Sequence, residues 1–258
     1  MGTTINWRER FVAAGLHLLA TAAVAAIVGL LIFAVWFPGP LAEMAGGRKL
    51  FFLVVSIDIA LGPLISLAIF NSKKSRGKLI FDYAVVSALQ LTALIYGASM
   101  ISISRPLFIV FTVDRLEVVA SLEIEEKDLA AATIPEFRKR HLFGPKLAAV
   151  EFPHDAEANN QLMFSAVNGK DIQMFPKYYQ PYETATADAL KRSITLRDLN
   201  QKNPTAAKKV VEAMQEEHLE EATTRILPVH SRFGFWTALI DSSNAKPIKY
   251  LPIDLDEL

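Results

Sequence analysis

The chain has 258 residues, 27 basic side chains (Lys and Arg) balanced by 27 acidic ones, and no cysteine. A net charge of zero gives no general attraction to nucleic acid, and the missing cysteines exclude disulfides, thiolate metal sites and cysteine nucleophiles. Apolar residues make up 52% of the sequence and crowd into the first hundred positions, so the length divides into a part in lipid, residues 1–103, and a part in water, residues 104–258.

Three apolar runs reach the roughly 20 residues that a membrane helix needs. They lie at about 11–37, 50–70 and 79–99. The first is too long for a cleaved leader, and "PGPLAEMAGG" and a second span follow it. Arg8 and Arg10 precede the first run, and Lys73, Lys74, Arg76 and Lys78 crowd the connection between the second and third. The connection between the first two has only Arg48 and Lys49, offset by Glu43. The positive-inside tendency then predicts a cytoplasmic N-terminus and, after three crossings, a domain outside the cytoplasm, which in a double-membraned bacterium is the periplasm. Trp36 and Tyr96 fall near that outer interface, as belt aromatics do.

The second run, "LVVSIDIALGPLISLAIF", carries an acid at Asp58 and a Gly62-Pro63 break. At about 1.5 Å per residue, Asp58 lies roughly 13 Å below the outer end of its helix, near the bilayer middle. Reflection about the loop near residue 74 brings Gln90 of the third run to the same level. An inward-facing Asp58 with Gln90 as partner is the economical arrangement, because a lone carboxyl in hydrocarbon is expensive. His17 and Asp82 lie one or two turns from the cytoplasmic face and are expected to pair as structural polar groups. Gly15, Ala22, Ala25, Ala26 and Gly29 give the first run small residues that let helices approach. Three uses of Asp58 stay open. It is polar glue for a three-helix bundle, a link in a proton or ion relay, or an anchor for a further transmembrane helix, to which Gly62-Pro63 offers freed backbone groups. A relay needs a chain of ionisable groups, and only three are available.

"ISISRPLFIVFTVDRLEVV", residues 101–119, reads as a strand that leaves the membrane almost without a linker. "EEKDLAAAT" and "IPEFRKRH" read as short helices, residues 144–153 as a strand, and residues 154–169 as a helix with Asp155 as N-cap and Gly169 past its end. Residues 171–182, "DIQMFPKYYQPY", have no regular period. "TADALKRS" and residues 204–222 are helical. "TRILPVHS", "RFGFWTALID" and "KPIKYLPIDL" close the chain as strands, the last two around a hairpin turn. The predicted fold class is a membrane protein: a three-helix transmembrane bundle followed by an α+β domain with a mostly antiparallel sheet.

The domain contains no Gly-rich phosphate loop, no HExxH and no G-x-S-x-G, and its histidines are scattered without ligand spacing. A triad assembled from distant positions is the catalytic alternative, since triads are defined by geometry. No cofactor is expected. Tyr178, Tyr179 and Tyr182 form either a contact surface, in which tyrosines are enriched, or a layer over the domain's own core.

The chain resembles the TfpX/TfpZ family of type IV pilin accessory proteins. The resemblance is carried by "WFPGPLAEMAGGRKLFFLVVSIDIALGPLISLAIF", a basic loop, "FDYAVVSALQLTALIYG", "SRPLFIVFTVDRLEVV", "GPKLAAVEFP" and "PKYYQPY", in that order and over nearly the whole chain. Phe37 stands where the family usually has a tyrosine before Pro-Gly-Pro, and Leu116 where an aromatic often follows Asp-Arg. The resemblance implies a non-catalytic inner-membrane protein that stabilises the pilin subunit before assembly. Its partners are then the subunit's transmembrane helix and periplasmic head, together with membrane lipid. On this expectation Asp58, Gly62, Pro63 and Gln90 meet the helix, and the three tyrosines meet the head. An enzyme that modifies the pilin and a scaffold of the assembly platform are the alternatives.

Overall fold

The computed structural model describes residues 6–71 and 74–255; Lys73, counted above in the basic connection, lies outside them. The chain folds as two compact units. One consists of the chain up to Val35 with Gly47–Ile103, the other of Trp36–Gly46 with Ser104 onwards.

In chain order the first helices are α1 (Trp7–Val35), the single turn α2 (Leu41–Met44), α3 (Gly47–Ile69) and α4 (Arg76–Ser104). All but α2 belong to the first unit, and each of these three is long and apolar enough to cross a membrane. Their packing depends on small residues. The Phe51 ring of α3 lies where a Cβ on Gly29 of α1 would stand, 2.5 Å from its Cζ, and Val54 likewise fills the space beside Gly97 of α4. The buried residues of α3 form one stripe, Gly47, Phe51, Val55, Asp58, Gly62 and Ser66, at spacings of three and four. Pro63 does not break the helix as the sequence suggests. α3 runs through it to Ile69, and the Gly62 and Ser66 positions on either side stay in the buried stripe. The end of α3 leaves carbonyls without helical partners, and two cations take them: Arg10 donates to Leu67 O at 2.9 Å and Lys74 to Ile69 O at 2.9 Å.

The second unit is the α+β domain, built on a seven-stranded sheet in the order β4-β3-β1-β2-β5-β6-β7. The strands are β1 (Pro106–Phe111), β2 (Leu116–Ala120), β3 (Lys146–Val150), β4 (Tyr179–Pro181), β5 (Thr224–Ser231), β6 (Gly234–Asp241) and β7 (Pro247–Leu251). Only the β1–β3 and β2–β5 pairings are parallel; β1–β2, β3–β4, β5–β6 and β6–β7 are antiparallel. Every residue of β1 is buried, as a central strand covered on both faces must be. Ile109 and Phe111 point into one core with Leu227, Val229 and Trp236. Phe108 and Val110 point into the other with Leu129, Phe137 and Tyr179. The remaining helices are α5 (Glu126–Ala130), α6 (Ala156–Val167), α7 (Thr186–Arg192), α8 (Leu196–Lys202) and α9 (Pro204–Glu216). α8 and α9 close a third core through Leu199, Val210 and Met214 against Ile226 and Leu239.

Several local expectations change. Residues 101–119 are not one strand: α4 continues to Ser104, and the rest is the β1–β2 hairpin, with Asp114 and Arg115 in its turn. The helix expected over "IPEFRKRH" is only a 3-10 turn at Pro135–Phe137, and α9 stops at Glu216. α8 adds a helix that the sequence reading lacked. It opens on a capping box in which Thr195 and Asp198 satisfy each other's backbone N–H groups. The segment between the first two spans belongs to the domain by its packing, for Leu41 and Met44 lie in the same core as Ile109 and Trp236.

Candidate intramembrane binding site

Asp58 and Gln90 stand at the midpoints of α3 and α4. Around them the first unit encloses a cleft of about 270 Å³, lined by His17, Ala20, Thr21, Val24 and Ala25 of α1, Asp58 of α3, and Ser87, Gln90, Leu91 and Leu94 of α4. α1 packs closely along α3, whereas α4 comes near the other two at few positions. The polar contacts of Gln90 therefore matter for closing the bundle.

The hydrogen bonds fix one another's direction. His17 Nε2 lies 2.7 Å from Gln90 Oε1, and His17 Nδ1 lies 2.5 Å from Ser66 Oγ. Gln90 Nε2 donates to the backbone carbonyl of Asp58 at 3.2 Å. Since an amide oxygen only accepts, His17 Nε2 is the donor to Gln90 Oε1, and in the neutral imidazole Nδ1 accepts from the Ser66 hydroxyl. Turning the amide over would set its oxygen against the Asp58 carbonyl, so the network runs Ser66 to His17 to Gln90 to Asp58 O. Gly62 makes the room. A Cβ there would stand 2.6 Å from Gln90 Nε2 and 3.2 Å from His17 Nε2.

The expected Asp58–Gln90 pair thus exists at the backbone and not at the carboxyl. Among the described residues the Asp58 carboxyl has no hydrogen-bond or ion-pair partner, although the residue is only 7% exposed. The expected pairing of His17 with Asp82 does not form. Asp82 binds Lys74 at 2.5 Å, because α1 starts at Trp7 and this sets His17 deeper than the sequence reading placed it. Pro63 is half-buried on α3, one residue from Gly62.

The tyrosines do not form one surface. Tyr179 is 0% exposed and Tyr182 1% exposed. The Tyr179 ring packs edge-on against Phe108 and Phe137, and its hydroxyl donates to Gln173 O. Tyr182 donates to Ala245 O at 2.6 Å, and burial pushes its hydroxyl up to about 12. In β4 and the turn after it, both side chains face the domain's own cores. Tyr178 alone is partly exposed, with the Lys177 ammonium 4.7 Å from its ring centre. The sequence reading missed a more exposed apolar surface on α6, where Met163, Phe164 and Val167 face solvent and Val167 is 86% exposed. The signal was present. Leu162, Met163, Phe164, Ala166 and Val167 are more apolar residues than one buried face accommodates, and only Leu162 is buried.

The fold and the cleft define a membrane-anchored protein with three apolar helices and an α+β domain. A family model described as fimbrial assembly protein FimB matches residues 5–46, the first helix and the segment after it. The chain is 33% identical over 242 residues to the fimbrial assembly protein, serogroup I, of Dichelobacter nodosus, covering 92% of this chain and 94% of that protein. It is 31% identical, with the same coverage, to the serogroup E1 protein of that organism. The protein of serogroups C1 and C2 is 36% identical over 129 residues, 48% of this chain and 98% of its own length. No solved structure matches. The chain belongs to the family of fimbrial assembly proteins.

Proposed function

We propose that this protein acts in type IV fimbrial assembly by binding the pilin subunit in the inner membrane and stabilising it until assembly, without catalysis. In this reading the N-terminus is cytoplasmic and the C-terminal domain periplasmic, as the basic flanks favour. The supporting observation is the mid-membrane cleft with a buried carboxyl that nothing in the described chain satisfies. A membrane-held subunit waits as an apolar helix with a head outside, and three helices with a polar notch at mid-depth suit such a guest. Asp58 and Gln90 are the anchors of this reading, and Gly62 and Pro63 shape the notch. Tyr178 is what remains of the proposed tyrosine contact with the head.

The test is the steady-state level and intact mass of the major pilin in cells lacking the protein, and in cells carrying Asp58→Leu. A fall in level at unchanged mass, reproduced by Asp58→Leu, is expected. Unchanged level with a shifted mass would make the protein an enzyme acting on the pilin, and unchanged level and mass would point to a scaffold of the assembly platform.

A further inference from the structure

We infer that the cleft receives a transmembrane helix presenting a hydrogen-bond donor at mid-span, and that the Asp58 carboxyl is its acceptor. This rests on the reading above and names the chemistry of the occupant. Two independent observations carry it. The first is the state of the polar groups. The imidazole of His17 and the amide oxygen of Gln90 are already engaged, and Ser66 is committed to His17. Thr21 and Ser87 bring hydroxyls to the wall, and these serve as either donor or acceptor. Asp58 is 7% exposed and lines the cleft, its bond to Gln90 uses the backbone carbonyl, and among the described residues its carboxyl is the one ionisable group of the cleft without a partner, a costly state in a low-dielectric site.

The second observation is the shape of the walls. α1 contributes residues 20, 21, 24 and 25, and α4 contributes 87, 90, 91 and 94. Both sets follow helical spacing along the helix axes, so the cleft is a groove with Asp58 at its floor. The α1 wall is mostly small, with Ala20, Thr21 and Ala25, which permits close backbone approach. In lipid, an occupant of such a groove satisfies its own backbone only as a helix. The network from Ser66 to Gln90 holds the walls and touches Asp58 only at its carbonyl, leaving the carboxyl free for the guest.

The experiment uses the full-length protein in phosphatidylcholine vesicles and synthetic Leu-Ala host helices with one guest residue, Lys, Asn or Leu, at the centre. Association is read by energy transfer between labels on the two partners. Lys and Asn hosts are expected to associate about five- to tenfold more tightly than the Leu host, in line with the modest strength of interhelical hydrogen bonds. Moving the guest two turns from the centre should abolish the advantage. Asp58→Leu should abolish it for both hosts, and the near-isosteric Asp58→Asn should abolish it for Lys while sparing Asn. Equal binding of the Leu host, or an advantage that survives Asp58→Leu, would overturn the inference. If the hosts discriminate but pilin levels in cells ignore Asp58→Leu, the cleft chemistry stands and the pilin is not its occupant. If pilin falls while the hosts bind alike, the pilin reading stands and the donor inference fails.

Discussion

The two units differ in how they treat the polar groups that the sequence singled out. In the α+β domain Tyr179, Tyr182 and Thr237 each give their hydroxyl to a carbonyl of the same domain, on Gln173, Ala245 and Ile253. In the membrane unit Ser66, His17 and Gln90 form an equally closed set, yet the Asp58 carboxyl has no partner among the described residues. A buried polar group satisfied from within specifies the fold. Unsatisfied buried atoms occur in the domain too, Thr224 Oγ1 among them, but Asp58 carries a carboxyl and lines a cleft, where a partner can arrive. By this criterion Tyr179 and Tyr182, open between contact surface and core layer in the sequence, are structure, and of the three uses open for Asp58 the contact with a further helix is the candidate.

The largest test of that contrast is Tyr182→Ala. Tyr182 packs in the core with Leu227, Val229 and Ala245, and truncating a buried aromatic costs about 3–5 kcal/mol, a large share of a typical total of roughly 5–15 kcal/mol. Thermal unfolding and limited proteolysis of the full chain in detergent should show the domain lost at moderate temperature. A shift worth less than about 1 kcal/mol would return Tyr182 to the surface and break the comparison.

Gly62→Ala comes next. Its Cβ would push Gln90 off both His17 and the Asp58 carbonyl, and overpacking of this kind costs about 1–3 kcal/mol. Unfolding of the bundle in mixed micelles measures the loss. The double variant Gly62→Ala, Gln90→Ala should lose less than the sum of the two single changes, because the second removes the clash created by the first; strict additivity would show that the two residues do not share the space.

Asp58→Leu should have a smaller effect on stability, and in the opposite direction. Replacing an unpartnered buried carboxyl by an apolar residue is neutral or stabilising where the side chain has room, and the cleft beside Asp58 gives the larger leucine that room; the gain expected in the same micelles is up to about 1 kcal/mol. A loss of more than about 1 kcal/mol would make Asp58 glue after all. Stability kept while pilin falls is the signature of a contact residue.

Much of this arrangement was legible in the sequence, for reasons that differ by element. The three spans follow from length and hydropathy. The ends of α6 follow from local chemistry: Asp155 caps Ala158 N at 2.8 Å, and Gly169 takes a positive φ of 83° just past the helix. Reflection about the basic loop brings residue 90 level with 58, and the two do meet, because helices of fixed rise keep their register across a short connection. The β1–β2 hairpin was hidden because its turn, Thr112 to Arg115, contains neither glycine nor proline. The place of Leu41 and Met44 in the domain core was hidden because a segment of eleven residues, Trp36–Gly46, between two apolar spans looks like a loop, whatever it packs against. That Gln90 meets Asp58 at its carbonyl and not at its carboxyl depends on the network of Ser66, His17 and Gln90 from three helices, and no spacing rule contains that.

The smallest effect separates the units by pH. On the domain surface Lys127 and Lys170 hold the Glu125 carboxyl down at about 2, against an ordinary 4.5; the contacts are 2.7 Å and 2.9 Å. Because the folded-state value lies below the unfolded one, the contribution is present above about pH 4.5 and is lost as the pH falls from there towards about 2. The group is fully exposed, so solvent and salt weaken the effect. Glu125→Gln should therefore flatten the acid side of the melting-temperature profile slightly, more at low ionic strength than at high, and leave the micelle unfolding of the bundle unchanged. An equal acid-side slope in wild type and variant would mean that the three charges do not hold one another in solution. A change in the bundle's unfolding would mean that the surface of the domain and the polar groups of the bundle are not energetically separate, and the contrast between tyrosines bonded within the domain and the Asp58 carboxyl in its cleft would then have to be drawn over the whole molecule.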